Sequence, residues 1–451
     1  MLAPRLVIAG THSGVGKTTV ATGLMAALRR AGLNVASAKV GPDFIDPGYH
    51  HLATGRVGRN LDSYLCGPEA IVPIASKAAE GADLLVVEGV MGLFDGLGST
   101  PAASTAEIAA LLEAPVVLVA DASSMSSSVR ALVDGSHHHL ERTWSRPLAG
   151  VILNRVGSDT HETLLREAMS GSQVPVLGVL RRDGALEWRD RHLGLVPVVE
   201  NPSGVAAALA RLVDAIAWGL QLGDLEGLAR RAPAMTAAAL PAARRVAERA
   251  VKVAVMGGAA FGFSYPDNLE RLAEAGAELV EVDPVGDPAL PDGVHGLYAC
   301  GGFPEVFAPE LAANRALLGD VRQKLGAGLP TWAECGGLLW LSRSLDGHRL
   351  CGAIAADARL AGRVSVGYRS ATLLTDTPIG ERGTVLRGHE HHYSTLEPAG
   401  DALELVGRSG TRLEGWATER LLATYLHLHM GGDPSPAEHF VALAADHREM
   451  P

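Results

Sequence analysis

The segment at residues 6–19 constrains the fold of this chain more than any other. It reads LVIAGTHSGVGKTT, an apolar run typical of a buried strand and then a glycine-rich turn, and good helix formers follow over 20–31. A strand, a glycine loop and a helix in this order make an anion cradle, because backbone N–H groups and the helix N-terminus point at the same place. The segment therefore predicts a phosphate-binding loop, here called the P-loop.

The P-loop residues have predicted roles in binding a nucleotide and its metal ion. Lys17 is placed to meet the outer phosphates, and the Thr18 hydroxyl is placed to bind Mg²⁺. The nucleotide-binding set is Gly14, Val15, Gly16, Lys17, Thr18 and Thr19. The common pattern has a glycine where Thr11 stands, and Gly10 lies one position early. The alternative is an ordinary glycine-rich turn with an exposed lysine, which leaves the consecutive Lys-Thr-Thr unexplained.

Acidic residues follow two further predicted strands. Asp43 and Asp46 come after a strand over 34–40, and two prolines nearby predict that they lie on a fixed loop rather than on a helix. Glu88 closes an apolar run that is typical of a buried parallel strand. Because open α/β sheets bind ligands at the carboxyl ends of their strands, Asp43 and Glu88 are candidate Mg²⁺ ligands. The alternative for each is a loop carboxylate that caps a helix.

Strands and helices alternate up to residue 222, which predicts a doubly wound, mostly parallel sheet. Asn154 follows a buried strand at 150–153, where its amide could present a donor and an acceptor to an adenine edge, or simply form a turn. Gly, Ala, Pro and Arg then dominate, and a new strand opens a second α/β unit at residue 251. We expect a P-loop domain over 1–222, a linker over 223–249 and a second α/β domain over 250–451.

Composition and charge exclude several classes of function. The 451 residues suffice for two or three domains, and the net charge of −11 argues against binding to nucleic acid or to an anionic membrane. The four cysteines have no CxxC spacing, which argues against a disulfide framework. No apolar run reaches the ~18 residues of a membrane span. These features predict a cytoplasmic protein.

A second candidate site lies in the C-terminal half. Residues 330–340 read PTWAECGGLLW, a short strand, then Cys335 at a turn, two glycines and a helix. This is the pattern of a nucleophile elbow, in which the side chain is exposed and the helix N-terminus lowers the pKa of the thiol. Gly301 and Gly302 follow another strand and can direct backbone N–H groups at an oxyanion. The alternative for Cys335 is a small buried core residue.

A thiolate needs a proton partner, and two histidines near the C-terminus are candidates. If residues 423–428 form a strand, His427 and His429 project from the same face, and one of them can meet Cys335. The histidine-rich stretch at 388–394 also suggests metal binding, but its spacing does not demand a metal ion.

Five motifs, in this order, resemble those of the cobyrinate and hydrogenobyrinate a,c-diamide synthases. They are THSGVGKT at 11–18, KVGPDFIDP at 39–47, GGFPE at 301–305, AECGG at 333–337 and TYLH at 424–427. The first domain also resembles the dethiobiotin synthetase group of P-loop proteins. The second is similar to class I glutamine amidotransferases of the cobyrinate/cobyrate type. The resemblance covers nearly the whole chain.

The resemblance implies two reactions on one chain. In the second domain, Cys335 attacks the amide of glutamine, Gly301 and Gly302 help to hold the oxyanion, and ammonia is released. In the first domain, ATP phosphorylates a peripheral carboxylate of the corrin ring, and ammonia then displaces the phosphate to give the amide. The phosphorylation makes chemical sense, because a carboxylate is otherwise a poor electrophile for ammonia.

The resemblance also assigns roles in the first domain. Lys17 and Lys39 would neutralise the transferring phosphoryl group, and Asp43 and Glu88 would serve Mg²⁺. The loop that places the acetate arm of the substrate is made of Phe44, Ile45 and Asp46, and Asp46 also joins Lys39 in the catalytic set.

The chain departs from its relatives at two positions. Class I amidotransferases usually carry a glutamate two positions after the catalytic histidine, and here that position is His429. The site is therefore a dyad of Cys335 and His427, or it borrows an acid from elsewhere, and His427 is favoured over His429 as the base. P-loop switch proteins with a second lysine would carry it at His12, where this chain has none.

Two alternatives to a,c-diamidation stay open at this point. One is the same chemistry on a related substrate, either a cobyrate-type corrinoid or a nickel sirohydrochlorin. The other is a P-loop ATPase switch with a degenerate second domain, which the intact motif around Cys335 disfavours. A homodimer is compatible with the sequence, and no nucleic acid or membrane partner is expected.

Overall fold

The computed structural model describes residues 2–183, 190–191, 194–195, 198, 202–236, 238–408 and 410–448. The chain divides into two compact units, Met1–Ala239 and Leu240–Pro451. Each unit is described by itself.

Unit one is built on a parallel sheet of seven strands in the order β3-β2-β4-β1-β5-β6-β7. A separate two-stranded ribbon joins β8 and β9. The strands are Arg5–Gly10 (β1), Val35–Val40 (β2), Arg59–Leu61 (β3), Leu84–Glu88 (β4), Val116–Asp121 (β5), Leu148–Val156 (β6), Val176–Arg181 (β7), Asp190–Arg191 (β8) and Gly194–Leu195 (β9). The helices are Lys17–Arg30 (α1), Asp46–Thr54 (α2), Ser63–Cys66 (α3), Ile71–Ala78 (α4), Thr105–Leu111 (α5), Ser128–Trp144 (α6), Asp159–Met169 (α7), Pro202–Gly219 (α8) and Leu222–Arg230 (α9), with a 3₁₀ turn at Pro68–Ala70.

The central strand β1 is buried on both faces, as its apolar run predicts. Leu6 and Ile8 belong to a core that includes Leu24 of α1 and Leu212 of α8, whereas Val7 and Ala9 point to the other face. Because the sheet is parallel, the segments that follow β1, β2 and β4 all leave it at one edge. That edge holds the P-loop, the loop after Lys39 and the end of β4.

The segment after β2 differs from the sequence-based expectation. Residues 46–54 form helix α2, so the prediction that prolines keep Asp46 on a loop is wrong. Pro47 occupies the first turn of α2, where a helix leaves its N–H groups unbonded in any case, and its fixed φ suits the helix. The carboxylate of Asp46 is therefore held on a helix.

Unit two contains two sheets. The first has the order β11-β10-β12-β13-β21-β20 and is parallel except for β20. The second has the order β15-β14-β16-β17-β22, with β18 on β16 and β19 on β18. The strands are Val251–Met256 (β10), Ala277–Val282 (β11), Gly296–Ala299 (β12), Thr331–Glu334 (β13), Ser344–Leu345 (β14), His348–Arg349 (β15), Asp357–Leu373 (β16), Val385–Glu397 (β17), Leu403–Gly407 (β18), Gly410–Glu414 (β19), Trp416–Thr418 (β20), Leu421–Thr424 (β21) and His427–Leu428 (β22). The helices are Pro266–Ala275 (α10), Ala308–Ala313 (α11), Arg315–Gly326 (α12), Gly336–Leu341 (α13) and Ser435–Arg448 (α14).

The single strand expected over 423–428 is in fact divided between the two sheets. β21 ends at Thr424 beside β13, and the chain then enters the second sheet as β22, where His427 lies opposite His389. This change of sheet brings His427 to the carboxyl end of β13. Cys335 is the residue that directly follows β13.

Candidate active sites

The P-loop is supported from β6 as well as by its own backbone. Asn154 Nδ2 donates to the carbonyl of Val15 at 2.9 Å, and a Cβ atom added to Gly16 would lie 2.5 Å from that nitrogen. Gly16 has φ 96°, a conformation that lets the turn run directly into α1 at Lys17. Asn154 Oδ1 accepts from the N–H of Arg155 at 2.9 Å. The amide of Asn154 thus braces the loop in this structure.

Lys17 points back along the P-loop. Its ammonium donates to the carbonyl of His12 at 3.1 Å, and the side chain is buried. Burial, followed by the nearby charge of Lys39, lowers the pKa of Lys17 to about 8. An anion in the loop would therefore stabilise the charged form of Lys17.

Lys39 lies at the centre of a buried cluster of charges. Its Nζ is 2.7 Å from Asp46 Oδ2 and 2.8 Å from Glu88 Oε1, and it donates to the carbonyl of Gly89 at 3.0 Å. Burial opposes the charged form, but the two carboxylates outweigh it and raise the pKa of Lys39. The Thr18 hydroxyl closes the cluster, since Oγ1 is 2.6 Å from Glu88 Oε1 and 3.3 Å from Asp46 Oδ2.

His50 is a member of this cluster that sequence reasoning missed. Its Nε2 lies 2.6 Å from Glu88 Oε2, and both side chains are fully buried. Burial favours the neutral form of Glu88, but Lys39 and His50 outweigh it and lower its pKa. Asp46 and His50 are four residues apart on α2 and therefore share a face. That spacing is a signal only if the segment is recognised as a helix.

Asp43 occupies a different place from Asp46. Its Oδ1 accepts from the N–H groups of Ile45 at 2.7 Å and of Asp46 at 2.9 Å, so it forms the turn that leads into α2. Phe44 and Ile45 lie in this turn and are half-buried. The carboxylates that reach Thr18 are those of Asp46 and Glu88.

The oxygen atoms around Thr18 suit a hard cation. A hydroxyl and one or two carboxylates, completed by phosphate and water oxygens, are the usual Mg²⁺ ligands at a nucleotide site. Burial and the neighbouring charges of Asp43 and Glu88 raise the pKa of Asp46, and a cation at this place would favour its ionised form. Within the described part of the chain, no group of three or more His, Cys, Asp or Glu side chains is arranged to hold a metal ion by itself.

Cys335 lies on the expected elbow between β13 and α13. Its backbone has φ 45° and ψ −97°, an uncommon conformation for a residue other than glycine. The thiol is nevertheless buried, with 5% exposure, so the expectation of an exposed side chain is wrong. The turn at 301–304 packs closely against Gly336, the next residue, since a Cβ added there would lie 2.9 Å from Gly302 N and 3.1 Å from Pro304 Cδ.

The predicted lowering of the thiol pKa is also wrong. Burial raises the pKa of Cys335, and Glu305 and Glu390 add to the effect. The helix that follows has only six residues, and its N-terminus does not outweigh the loss of solvent. The surroundings of Cys335 in this structure therefore favour the thiol over the thiolate.

His427, not His429, lies against the turn of Gly301 and Gly302. A Cβ added to Gly301 would be 2.4 Å from His427 Cε1. His429 stacks on Tyr265 with 4.4 Å between ring centroids, and its Nε2 is 3.9 Å from Asp267 Oδ2. The elbow, the glycine turn and His427 therefore meet at one place in unit two.

The remaining cysteines have no comparable surroundings. Cys66, Cys300 and Cys351 are buried. Burial raises the pKa of Cys300 and that of Cys351, the latter to about 11. Neither follows a strand into a positive-φ turn, so Cys335 is distinguished by its backbone rather than by its pKa.

Comparison with known proteins agrees with this geometry. Residues 6–196 match the CobQ/CobB/MinD/ParA nucleotide binding domain, and residues 252–435 match the CobB/CobQ-like glutamine amidotransferase domain. The chain is 48% identical to the hydrogenobyrinate a,c-diamide synthase of Streptomyces coelicolor, with 97% of each chain covered. It is 46% identical to that of Thermobifida fusca, with 99% of this chain and 98% of the relative covered. It is 42% identical to the cobyrinate a,c-diamide synthase of Synechococcus sp., with 97% of each covered.

The chain belongs to the a,c-diamide synthase family. With a nucleotide-binding domain and a glutamine amidotransferase domain, it is a glutamine-hydrolysing, ATP-dependent ligase. The family resemblance and the fold class predicted from the sequence are confirmed. None of the helices that the structure describes is both long enough and apolar enough to cross a membrane.

Proposed function

We propose that the chain transfers ammonia from glutamine to the a- and c-acetate carboxylates of cobyrinate or hydrogenobyrinate, a step of cobalamin biosynthesis. Full-length relatives that carry the name of either substrate support this proposal. The observation that carries it is the cluster of Lys39, Asp46, Glu88 and Thr18 at the P-loop, because it joins a buried cation to oxygen atoms that suit Mg²⁺. Such a site suits phosphoryl transfer to a carboxylate.

The glutaminase reaction uses the residues that meet in unit two. Cys335 Sγ attacks the side-chain carbonyl carbon of glutamine as its proton passes to His427, which then donates a proton to the leaving ammonia. Of the two predicted oxyanion donors, Gly301 already donates its N–H to the carbonyl of Phe263 at 3.2 Å, so Gly302 is the better donor to the oxyanion. Water then attacks the thioester, glutamate leaves and the thiol is restored. Because burial raises the pKa of the thiol, deprotonation depends on His427.

The ligase reaction uses the P-loop of unit one. ATP binds with its phosphates on residues 14–19. Contact of Asn154 with the adenine would require its amide to release the carbonyl of Val15 and the N–H of Arg155, so bracing of the loop is the better-supported role of Asn154. A carboxylate oxygen of the substrate attacks the γ-phosphorus, ADP leaves, and ammonia then attacks the acyl phosphate carbon and displaces phosphate. Lys17 and Lys39 neutralise charge on the phosphoryl group. The turn of Phe44, Ile45 and Asp46 positions the acetate arm.

A Mg²⁺ ion would be held by Thr18 and Glu88, with Asp46 or Asp43 as a further ligand. The contacts of Thr18 favour Asp46, whereas Asp43 is engaged by the backbone of the turn before α2. When bound, the ion supplies positive charge to the phosphate oxygens.

The Cys335→Ala variant tests the separation of the two reactions. Glutamine-dependent amidation should disappear, while amidation with added ammonium should continue at the wild-type rate. The control is Cys351→Ala, which removes another buried thiol that lies outside the site. Loss of both activities in C335A, with C351A unaffected, would contradict two separable sites.

The substrate is tested by mass spectrometry of the products. Cobyrinate, hydrogenobyrinate, cobyrate-type substrates and nickel sirohydrochlorin are each incubated with ATP, Mg²⁺ and glutamine. Two amidations of cobyrinate or hydrogenobyrinate are expected, and amidation of only the other substrates would refute the proposed specificity. The proposed homodimer is checked by light scattering.

A further inference from the structure

Glu334 is a buried acid between the nucleophile and the base of the glutaminase site. It ends β13, directly before Cys335, and is 1% exposed. Its Oε1 accepts from the N–H of Leu428 at 3.2 Å, and its Oε2 accepts from the hydroxyl of Tyr298 at 3.1 Å. Oε2 also lies 3.6 Å from His427 Nδ1. The carboxylate is thus fixed on two sides and faces the imidazole on a third.

Another buried acid, Asp267, faces a different histidine. Asp267 faces His429, which occupies the position where class I amidotransferases usually carry a glutamate. His429 Nδ1 accepts from the N–H of Gly431 at 3.1 Å, so His429 and Asp267 form a separate pair near α10. If the catalytic set has a third member, it comes from a different position in this chain.

We propose that Glu334 is the positioning residue that orients the imidazole of His427 and stabilises its protonated form during glutamine hydrolysis. The inference rests on the proposed roles of Cys335 and His427. Glu334 itself does not touch the reacting atoms.

The physical argument concerns the charge that His427 acquires. When His427 takes the proton of the Cys335 thiol, an imidazolium forms in a site from which water is largely excluded. An adjacent carboxylate stabilises that cation and fixes the ring orientation, as the acid of a catalytic triad does. A separation of 3.6 Å is longer than a hydrogen bond, but such contacts commonly shorten once the substrate is bound and the charge develops.

The backbone contact of Glu334 adds to this role. Because Oε1 binds the N–H of Leu428, the same carboxylate fixes the strand residue that follows His427. β13 and β21 are parallel neighbours, with Glu334 opposite Thr424, so the acid reaches β22 from the adjacent strand. In the usual class I pattern the acid is two residues after the histidine, whereas here it is next to the nucleophile.

Other titratable groups near His427 must be separated from Glu334 in a pH experiment. His389 lies opposite His427, and burial, followed by the charge of His427, lowers its pKa to about 3. Burial raises the pKa of Tyr298 and of Cys335, so neither changes charge at neutral pH on its own. Glu414, which accepts from the Tyr425 N–H, has its pKa raised by burial to about 7. The Glu414→Gln variant shows how much of the pH dependence of glutamine hydrolysis comes from Glu414.

The experiment measures kcat and KM for glutamine hydrolysis as a function of pH in wild type, Glu334→Gln and Asp267→Asn. We expect E334Q to lower kcat by about tenfold or more, with a small change in KM, because positioning acts on the transition state. The acidic limb of the profile should move to lower pH, since the imidazolium loses its anionic partner. D267N, which alters the other acid–histidine pair, should leave that limb in place.

Several outcomes would overturn the inference. An unchanged rate and profile in E334Q, or an equal loss of rate at every pH, refutes the role of Glu334. If C335A still hydrolyses glutamine, the proposed active site is wrong and the inference falls with it. Should E334Q fail to fold, Tyr298→Phe removes only the hydroxyl that shares Oε2 with His427. Its acidic limb should move to higher pH, and an unchanged limb refutes the inference.

Discussion

Substitution of Gly301 by alanine should misplace His427 and slow glutamine hydrolysis. The added Cβ would lie 2.4 Å from His427 Cε1, where ordinary contact begins near 3.4 Å, so the two groups must separate by about 1 Å. The backbone of Gly301 cannot easily move away, because it exchanges hydrogen bonds of 3.0 and 3.2 Å with Phe263, whose Cβ would be 3.2 Å from the new methyl group. Gly301 does not have a positive φ, so strain of the backbone adds nothing to the effect.

A displacement of about 1 Å in a catalytic group lowers the rate by roughly 100-fold, or about 2.7 kcal/mol in the activation free energy. The assay compares glutamine-dependent with ammonium-dependent amidation, and only the former should fall. Gly319→Ala is the matched control, since a Cβ there meets nothing within 4 Å. If G301A hydrolyses glutamine at the wild-type rate, His427 is not held against this turn as the structure places it, and the reasoning fails.

Two further predictions concern carboxylates. Asp46→Asn should lower the kcat of ammonium-dependent amidation about tenfold or more, because it removes the negative charge beside Lys39 and Thr18. Asp43→Asn should change this kcat by less than about twofold, because asparagine accepts the same hydrogen bonds in the turn. Equal losses in an ammonium assay at varied Mg²⁺ would contradict this distinction. Burial raises the pKa of Glu414 from 4.5 to about 7. Its protonated form therefore contributes about 3 kcal/mol to the free energy of unfolding below about pH 4.5, and this contribution is lost as the pH rises through about 7. Urea unfolding should show this loss in wild type but not in Glu414→Gln, and parallel pH dependences would refute it.

Sequence patterns predicted the strand-and-turn geometry at the P-loop and at Cys335 because each pattern is local. The P-loop, the strand ends at Lys39 and Glu88, and the elbow at Cys335 all depend on residues adjacent in the chain. Each such motif joins an apolar run to a turn, and the sheet then brings the turns to one edge. The family resemblance added the order of the motifs, which no single motif supplies.

Local sequence patterns do not predict the contacts between distant segments of the chain. The turn at 301–304 packs against Gly336 from a distant part of the chain, and the acid that faces His427 comes from β13 rather than from its own strand. The sequence does not predict helix α2 because proline breaks a helix interior, although it is favourable in the first turn, where Pro47 lies. His50 was missed with it, since its spacing from Asp46 has meaning only on a helix.

Burial gives the two sites opposite electrostatic properties. In unit one, Lys39 keeps its charge because two carboxylates surround it, so the positive charge needed for phosphoryl transfer is permanent. In unit two, burial and the carboxylates of Glu305 and Glu390 raise the pKa of the Cys335 thiol, so in the proposed mechanism its reactivity depends on the position of His427. A neutral thiol is a weak nucleophile, and the thiolate forms only when proton acceptor, oxyanion donors and substrate are aligned. The rate of glutamine hydrolysis is therefore governed by the geometry around His427, and small steric changes there should affect it more than changes of bulk pH near neutrality.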